Sequence, residues 1–422
     1  MRIGRMGLGR GLVLVAWMAL AGCNQIAAER DGSADGADPA ASLLERAEGG
    51  DVDAQLAAGR FYKDNAPDAE GAERARRESE ALRWLTLAAE AENPEAASDL
   101  GIVLATADGT NRNLKEARRW LGRAGQAGQA PAYFMLGEIS QSGEDAPPNP
   151  VMAAEFWRKA ADLGHVGALH RLGEAHEQGL GLDADLDAAV AYYRDAASKG
   201  YVNSQYRLAV LFDEGVLIGR DALEAVKYYR MAAEQGHAPS QSQLGYLYAR
   251  GDGVVQRYDE AVRWSRMAAE QGDPDGCNNL AVLHLKGLGV EQSFDEALRW
   301  YRLAAQHNHP GAQNMLGTIY LTGQGVEIDA TEAEHWWRMA ADQGYAAAQY
   351  NLGGMFSRKL SSTITRDEAL DWLVRAAEQG HRSAGKELAE LQAEIAAETA
   401  VAGEATNDPE APVPAAADTV TL

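Results

Sequence analysis

Asp295-Glu296-Ala297-Leu298-Arg299-Trp300-Tyr301-Arg302-Leu303-Ala304-Ala305 recurs, with variation, every 36 residues between residues 81 and 377. One column of the recurrence reads Ala81, Ala117, Ala153, Ala189, Ala225, Ala261, Ala297, Ala333, Ala369. A second reads Ala88, Ala124, Ala160, Ala196, Ala232, Ala268, Ala304, Ala340, Ala376, and a third runs from Leu100 through Leu136, Leu172, Leu208, Leu244, Leu280, Leu316 and Leu352 to Leu388. Three uniform columns at one period define a stacked array of supersecondary units. Such an array grows in one direction and needs no central core, so the 422 residues do not have to be divided into two or three globular domains.

Each unit reads as helix A, loop, helix B, tight turn. Cys277 to His284 supplies one helix A, with Leu280 and Leu283 on one face and the small Ala281 admitting a close neighbour. Gly287-Leu288-Gly289-Val290 is the loop, echoed by Gly251-Asp252-Gly253-Val254 and Gly323-Gln324-Gly325-Val326, where glycine permits positive φ. In helix B, Ala297, Trp300, Tyr301 and Ala304 fall on one stripe at i, i+3, i+4, i+7. Gly128, Gly164, Gly200, Gly236, Gly272, Gly344 and Gly380 follow successive B helices at the left-handed terminating position.

Spelled out, the pattern is Ala-x-x-x-Leu-Gly-x-x-Tyr-x-x-Gly-x-Gly-Val, then Glu-Ala-x-x-Trp-Tyr-x-x-Ala-Ala-x-x-Gly. It resembles the Sel1-like repeat, a relative of the tetratricopeptide repeat, and Leu316-Gly317-Thr318-Ile319-Tyr320 with Gly323 and Gly325-Val326 is close to the full form. The resemblance covers about residues 51–380 as nine repeats and implies an all-α fold, an α/α superhelical solenoid. The first repeat is longer: Ala54 to Ala96 is 42 residues, the excess falling in the charged stretch Glu70 to Glu78, which reads as a long first-repeat loop. The loop Ser357 to Thr365 lacks glycine, and Pro147-Pro148-Asn149-Pro150 stiffens another. Residues 381–400 read as a capping helix, with Leu388, Leu391 and Ile395 on its apolar face. Residues 401–422 read as a disordered acidic Pro/Ala tail.

The N-terminus carries an address. Arg2, Arg5 and Arg10 precede an apolar run, Leu12 to Leu20, too short to span a bilayer as a helix and fitting a secretory leader. It ends in Leu20-Ala21-Gly22-Cys23, which resembles the bacterial lipoprotein cleavage box. The resemblance implies a signal peptide over residues 1–22, a lipidated Cys23 and, because Asn24 rather than Asp follows, an outer-membrane destination facing the periplasm. Residues 23–50 are expected to be a flexible tether, with order beginning near Leu43. The chain's formal net charge is −23, and loss of residues 1–22, with three arginines and no acid, takes it to −26. That surface repels phosphate backbones and excludes nucleic acid as a partner. Cys23 and Cys277 are the only cysteines, so there is no disulfide framework.

No catalytic constellation emerges, and the chain reads as a non-enzyme. The Gly-x-Gly repeats follow no strand and precede no Gly-Lys-Ser/Thr. His165, His237, His309 and His381 share one turn column with Asn93, Gln129, Tyr201, Asp273 and Tyr345, one per unit, which suits turn geometry rather than a metal site. Ser383-Ala384-Gly385-Lys386 matches Ser-x-x-Lys, but neither Ser-Asp-Asn nor Lys-Thr-Gly accompanies it, so the reading as a β-lactam-binding hydrolase is the weakest of three. Cys277 falls beside small residues, as a packed thiol. No cofactor or metal is expected.

The tetratricopeptide resemblance implies that A helices line the inner, concave wall. Three columns there vary from unit to unit where the scaffold columns do not, and they yield the candidate partner-binding residues. Phe134 and His170 stand among them; Glu138, Glu174, Glu177 and Asp213 give an acidic zone, while Tyr206, Tyr246, Asn278, Asn314 and Tyr350 give a Tyr/Asn-rich one. Tyrosine at exposed positions suits an interface. The expected function is a lipid-anchored scaffold that binds an envelope protein or peptide. The resemblance to repeat lipoproteins adds envelope or exopolysaccharide-export assembly as a setting. A polysaccharide-contacting module using the same groove is the alternative.

Overall fold

The computed structural model describes residues 39–107, 111–144, 146–215 and 217–406; the leader, Cys23, Asn24 and most of the expected tail lie outside them. Twenty helices and no strand occur among the described residues. The first, α1, is Pro39–Glu48. The A helices are α2 Val52–Asn65, α4 Pro94–Thr106, α6 Ala130–Ser142, α8 Val166–Gln178, α10 Val202–Glu214, α12 Ala238–Arg250, α14 Pro274–Lys286, α16 Pro310–Thr322 and α18 Ala346–Ser357. The B helices are α3 Gly71–Glu90, α5 Leu114–Gln126, α7 Pro150–Asp162, α9 Leu186–Ser198, α11 Ala222–Glu234, α13 Tyr258–Glu270, α15 Phe294–Gln306, α17 Ala330–Asp342 and α19 Arg366–Glu378. Last comes α20, Arg382–Thr406. Two compact units divide the chain after Arg220, with α1–α10 in the first and α11–α20 in the second.

Within each unit a helix packs on the next in sequence, and A helices also touch the next A helix, as α12 does α14. The invariant columns explain this. Every alanine of the two B-helix columns has no exposed surface, and the leucines from Leu100 to Leu352 are buried. The residue after each leucine sets the closest approach. A methyl group on Gly317 would lie 2.5 Å from Trp337 Cδ1, and one on Gly101 would lie 2.5 Å from Leu121 Cγ. So a B helix can bring a large side chain against the A-helix backbone only where glycine, or alanine as at Ala281, stands opposite. The loops register one repeat on another: a methyl on Gly253, whose φ is +66°, would sit 2.2 Å from the carbonyl oxygen of Ala222, the first residue of the preceding B helix. Each B helix ends as the glycine column implies, from Gly128 at φ 89° to Gly380 at φ 82°. Glu92 (φ 63°) and Asn308 (φ 60°) keep the left-handed turn without glycine.

Three boundaries differ from the sequence reading. The end of the expected tether is helical: α1 begins four residues ahead of Leu43, and its Ala47 is buried with Ala54, Ala58 and Trp84. The extra residues of the first repeat extend α3 to 20 residues instead of forming a loop, because Glu73, Arg77, Arg74 and Glu78 supply i,i+4 ion pairs. The capping helix runs six residues beyond 400, into the expected tail. After α18 the chain turns without glycine, Lys359 taking φ 54°.

Candidate functional site

The A-helix face is built differently in the two units. In the first, the acids are spoken for. Glu138 Oε1 accepts from Arg171 Nε at 3.0 Å and Trp157 Nε1 at 3.1 Å, and its Oε2 accepts from Arg171 Nη2 at 2.6 Å. Arg171 Nη1 also donates to Glu174 at 2.8 Å. Burial alone would raise the Glu174 carboxyl; His170 and Arg171 outweigh it and hold it down to about 2. Glu177 Oε2 accepts from Tyr193 OH at 2.8 Å and Arg207 Nε at 3.0 Å, with a second Arg207 contact to Oε1, and these partners overcome burial and lower its pKa too. Asp213 lies 3.5 Å from the Arg220 guanidinium. The expected acidic zone is therefore an ion-pair ladder that staples α6 to α8 and α8 to α10. It continues at α2 and α4, where Arg60 and Lys63 meet Asp99 at 2.7 and 2.6 Å. Arg171 and Arg207, absent from the sequence reading, stand one residue after His170 and Tyr206, in a column that also holds Asp99, Met135, Gln243, Asn279, Met315, Asn351 and Glu387.

His170 is a core residue, 8% exposed, and its neighbourhood contains the parts of a charge relay. Its Nδ1 is 2.9 Å from Ser204 Oγ and its Nε2 3.6 Å from Glu174. Ser204 has no exposed surface, so no substrate reaches its hydroxyl. Phe134 is half-buried and stacks on His165 at 4.3 Å; Tyr206 is half-buried.

In the second unit the face is nearly uncharged. Tyr246 is 42% exposed, its OH accepting from Arg250 at 2.5 Å with the same guanidinium over its ring. Asn314 Oδ1 accepts from Asn351 Nδ2 at 2.9 Å, while its backbone carbonyl accepts from Trp337 Nε1 at 3.0 Å. Asn279 Nδ2 donates to the Ser242 carbonyl at 3.1 Å. Asn278 is half-buried, and Tyr350 is half-buried and stacks on His381 at 4.6 Å. Amide contacts thus join α12 to α14 and α16 to α18, where the first unit uses ion pairs.

The turn-column histidines are helix caps. Nδ1 of His165, His237, His309 and His381 accepts the backbone N–H three residues on, of Ala168, Ser240, Ala312 and Ala384, at 2.9–3.3 Å. Asn93 and Asp273 do the same with carboxamide and carboxylate oxygens. Burial pushes the His165 imidazole down to about 4, and His237 is lowered for the same reason. Cys277 is the packed thiol the sequence implied, fully buried with Sγ 3.8 Å from the Ala269 carbonyl, and burial pushes it up to about 11. Its column elsewhere holds buried glutamines that sequence reading passed over. Gln241, Gln313 and Gln349 each donate to the carbonyl eight residues earlier, in the preceding B helix, and accept from Gln271, Gln343 and Gln379 thirty residues later. A polar residue recurring at period 36 among apolar columns was the available signal. Ser383 and Lys386 sit exposed in the first turn of α20, Lys386 3.5 Å from Glu390.

The Sel1 repeat family model matches nine consecutive segments: residues 71–93, 94–129, 130–165, 166–201, 202–237, 238–273, 274–309, 310–345 and 346–381. The chain belongs to the Sel1 repeat family. Among solved structures, this Sel1 repeat chain is similar to a protective antigen present in uropathogenic Escherichia coli strains, at 28% identity over 83% of this chain and 74% of that one, with a TM-score of 0.69. It is also similar to a Sel1 repeat protein from Oxalobacter formigenes, at 27% identity over 84% of this chain and 91% of that one, with a TM-score of 0.56. No curated protein matches the chain. The fold is the all-α superhelical repeat class, and solenoids of Sel1 repeats serve as protein-interaction scaffolds.

Proposed function

We propose that this Sel1 repeat protein is a lipid-anchored scaffold of the bacterial cell envelope that holds a protein or peptide partner on its A-helix face. The observation that carries the binding part is the contrast between the units. In the first, Glu138, Glu174 and Glu177 are committed to arginines that staple neighbouring helices. In the second, Tyr246, Asn278, Asn314 and Tyr350 present aromatic and amide surface with few charges. Half-exposed tyrosine adds contact area with a polar tip, and carboxamides donate and accept at once. The second unit is thus the better candidate for the partner, in an envelope or exopolysaccharide-export assembly. Amides and tyrosines would also suit a polysaccharide, which is the second reading.

Lipidation of Cys23 rests on the leader and the Leu20-Ala21-Gly22-Cys23 box. No helix among the described residues is long and apolar enough to cross a membrane. Two or more acyl chains give stable anchoring. The test pairs two changes in cells. Cys23→Ala should move the protein out of the membrane fraction. Tyr246→Ala with Tyr350→Ala should leave fractionation unchanged and reduce protein co-purification at least fivefold. Partners retained in full by the double variant would place the working surface elsewhere, and glycan captured in place of protein would favour the second reading.

A further inference from the structure

The first unit contains a cavity of about 490 Å³ between α3 and α5, floored by Leu82, Leu100, Leu104 and Trp120. Its origin lies in a column that varies between repeats. The B-helix position that opens it is Thr86, and the same column reads Arg158, Arg194, Arg230, Arg266, Arg302 and Arg338 in six later repeats, with Gly122 and Val374 in the other two. Four of those arginines cross to the following helices. Arg230 Nη2 donates to Tyr248 OH at 2.8 Å and Arg302 Nη2 to Tyr320 OH at 2.9 Å, in each case 18 residues on. Arg194 lies over the ring of Phe212, also 18 residues on, and Arg338 pairs with Glu368, 30 residues on. The residues 18 and 30 after Thr86 are Leu104 and Glu116, and both line the cavity. The space is the slot that a repeat arginine fills elsewhere, left empty by threonine.

We propose that this slot receives an arginine side chain from a partner polypeptide. The floor suits the aliphatic stem, since arginine lays its methylenes on apolar surface and keeps its guanidinium at a polar rim. The rim supplies the acceptors. Glu116 occupies the position from which Glu368 binds Arg338, and Glu90 and Glu92 have no ion-pair partner among the described residues. Glu92 also stands where glycine occurs in seven other repeats, so a carboxylate is present at a turn that does not ask for one. Arg119 and Arg123 share the lining but are turned onto Trp120, their guanidinium carbons 5.2 and 5.0 Å from its ring, and Arg119 bonds Glu116 at 3.1 Å. Three carboxylates against two guanidiniums leave the slot net negative, in a chain of net charge −23. A planar guanidinium can bridge two carboxylates, which a lysine ammonium does less well. This slot lies between B helices, away from the A-helix face, so the two surfaces can fail separately.

The test titrates the full-length protein with the peptide Ac-Ala-Ala-Arg-Ala-Ala-NH2 and with the same peptide carrying citrulline or lysine for arginine. The readout is the Trp120 indole N–H resonance, assigned by its loss in Trp120→Phe. The arginine peptide should shift it saturably with a Kd on the order of millimolar, as one side chain can supply. Citrulline, of the same shape but uncharged, should bind at least tenfold more weakly, and lysine severalfold more weakly. Thr86→Arg should fill the slot from within and weaken the peptide at least tenfold. Glu90→Gln, at an exposed position, should weaken it severalfold with an unchanged melt. Equal binding of citrulline or lysine peptides, or an unaltered titration in Thr86→Arg, would overturn the assignment.

Discussion

Replacing Gly317 by alanine tests the contact on which the repeat is built. The added methyl would lie 2.5 Å from Trp337 Cδ1 and 2.6 Å from Nε1. Non-bonded carbons settle at about 3.5–4.0 Å, so about 1 Å must be found. Trp337 is 2% exposed and its indole N–H is bonded to the Asn314 carbonyl, so it cannot swing clear without losing that bond. Either α16 and α17 separate or the tryptophan leaves its rotamer. Overpacking of this kind costs about 1–3 kcal/mol, and the helix propensity gained over glycine returns about 0.5–1. The net should be roughly 1–2 kcal/mol of destabilisation. Gly122 in α5 is the control: a methyl there meets nothing within 4 Å, so Gly122→Ala should stabilise by about 0.5–1 kcal/mol. Urea denaturation gives the sign, and amide exchange gives the place, since a repeat array unfolds locally. Protection should fall in α16 and α17 for Gly317→Ala. A Gly317→Ala protein as stable as Gly122→Ala would refute the account of how A and B helices meet.

Three further outcomes follow from particular side chains. Glu92→Gly should stabilise the fold by about 1 kcal/mol, seen as a higher urea midpoint, because a left-handed conformation costs a non-glycine residue about that much. Stability should fall on acidification from about pH 6.5 toward pH 4: the folded state holds His165 neutral down to about 4, so the unfolded chain binds the proton first, and up to about 3 kcal/mol is lost across that window and none below it. His165→Asn, which copies the cap at Asn93, should flatten this slope in urea melts at several pH values. Arg171→Met should destabilise by roughly 1–3 kcal/mol, since Glu138 and Glu174 would keep their partly buried sites without the guanidinium, and exchange protection should drop in α6 and α8.

The scaffold was legible in the sequence because its causes repeat. Ala297 and Leu316 hold the same place in every repeat, so the period shows both the helices and the faces they bury. Variable positions carry no such signal. Glu174 and Glu177 read as an acidic surface because their partners, Arg171 and Arg207, lie in a neighbouring column whose geometry only the packing supplies. His170 read as a wall residue because nothing in its column says that Tyr193, Tyr201 and Ser204 close over it. The histidine caps were half legible: their one-per-repeat spacing argued for turn geometry, but not that Nδ1 accepts the helix N–H. The long first repeat misled because an inserted charged stretch can lengthen a helix as readily as a loop.

The central claim is that the A-helix face of the second unit holds a protein partner in the envelope, and photocrosslinking in intact cells tests it most directly. A benzophenone amino acid is placed at Tyr246 or Tyr350 on that face, and at Leu223, which is 73% exposed at the start of B helix α11. The account predicts a discrete protein adduct from positions 246 and 350 and none from 223. An adduct from 223 alone, or none from 246 and 350 while the protein fractionates normally, would contradict it.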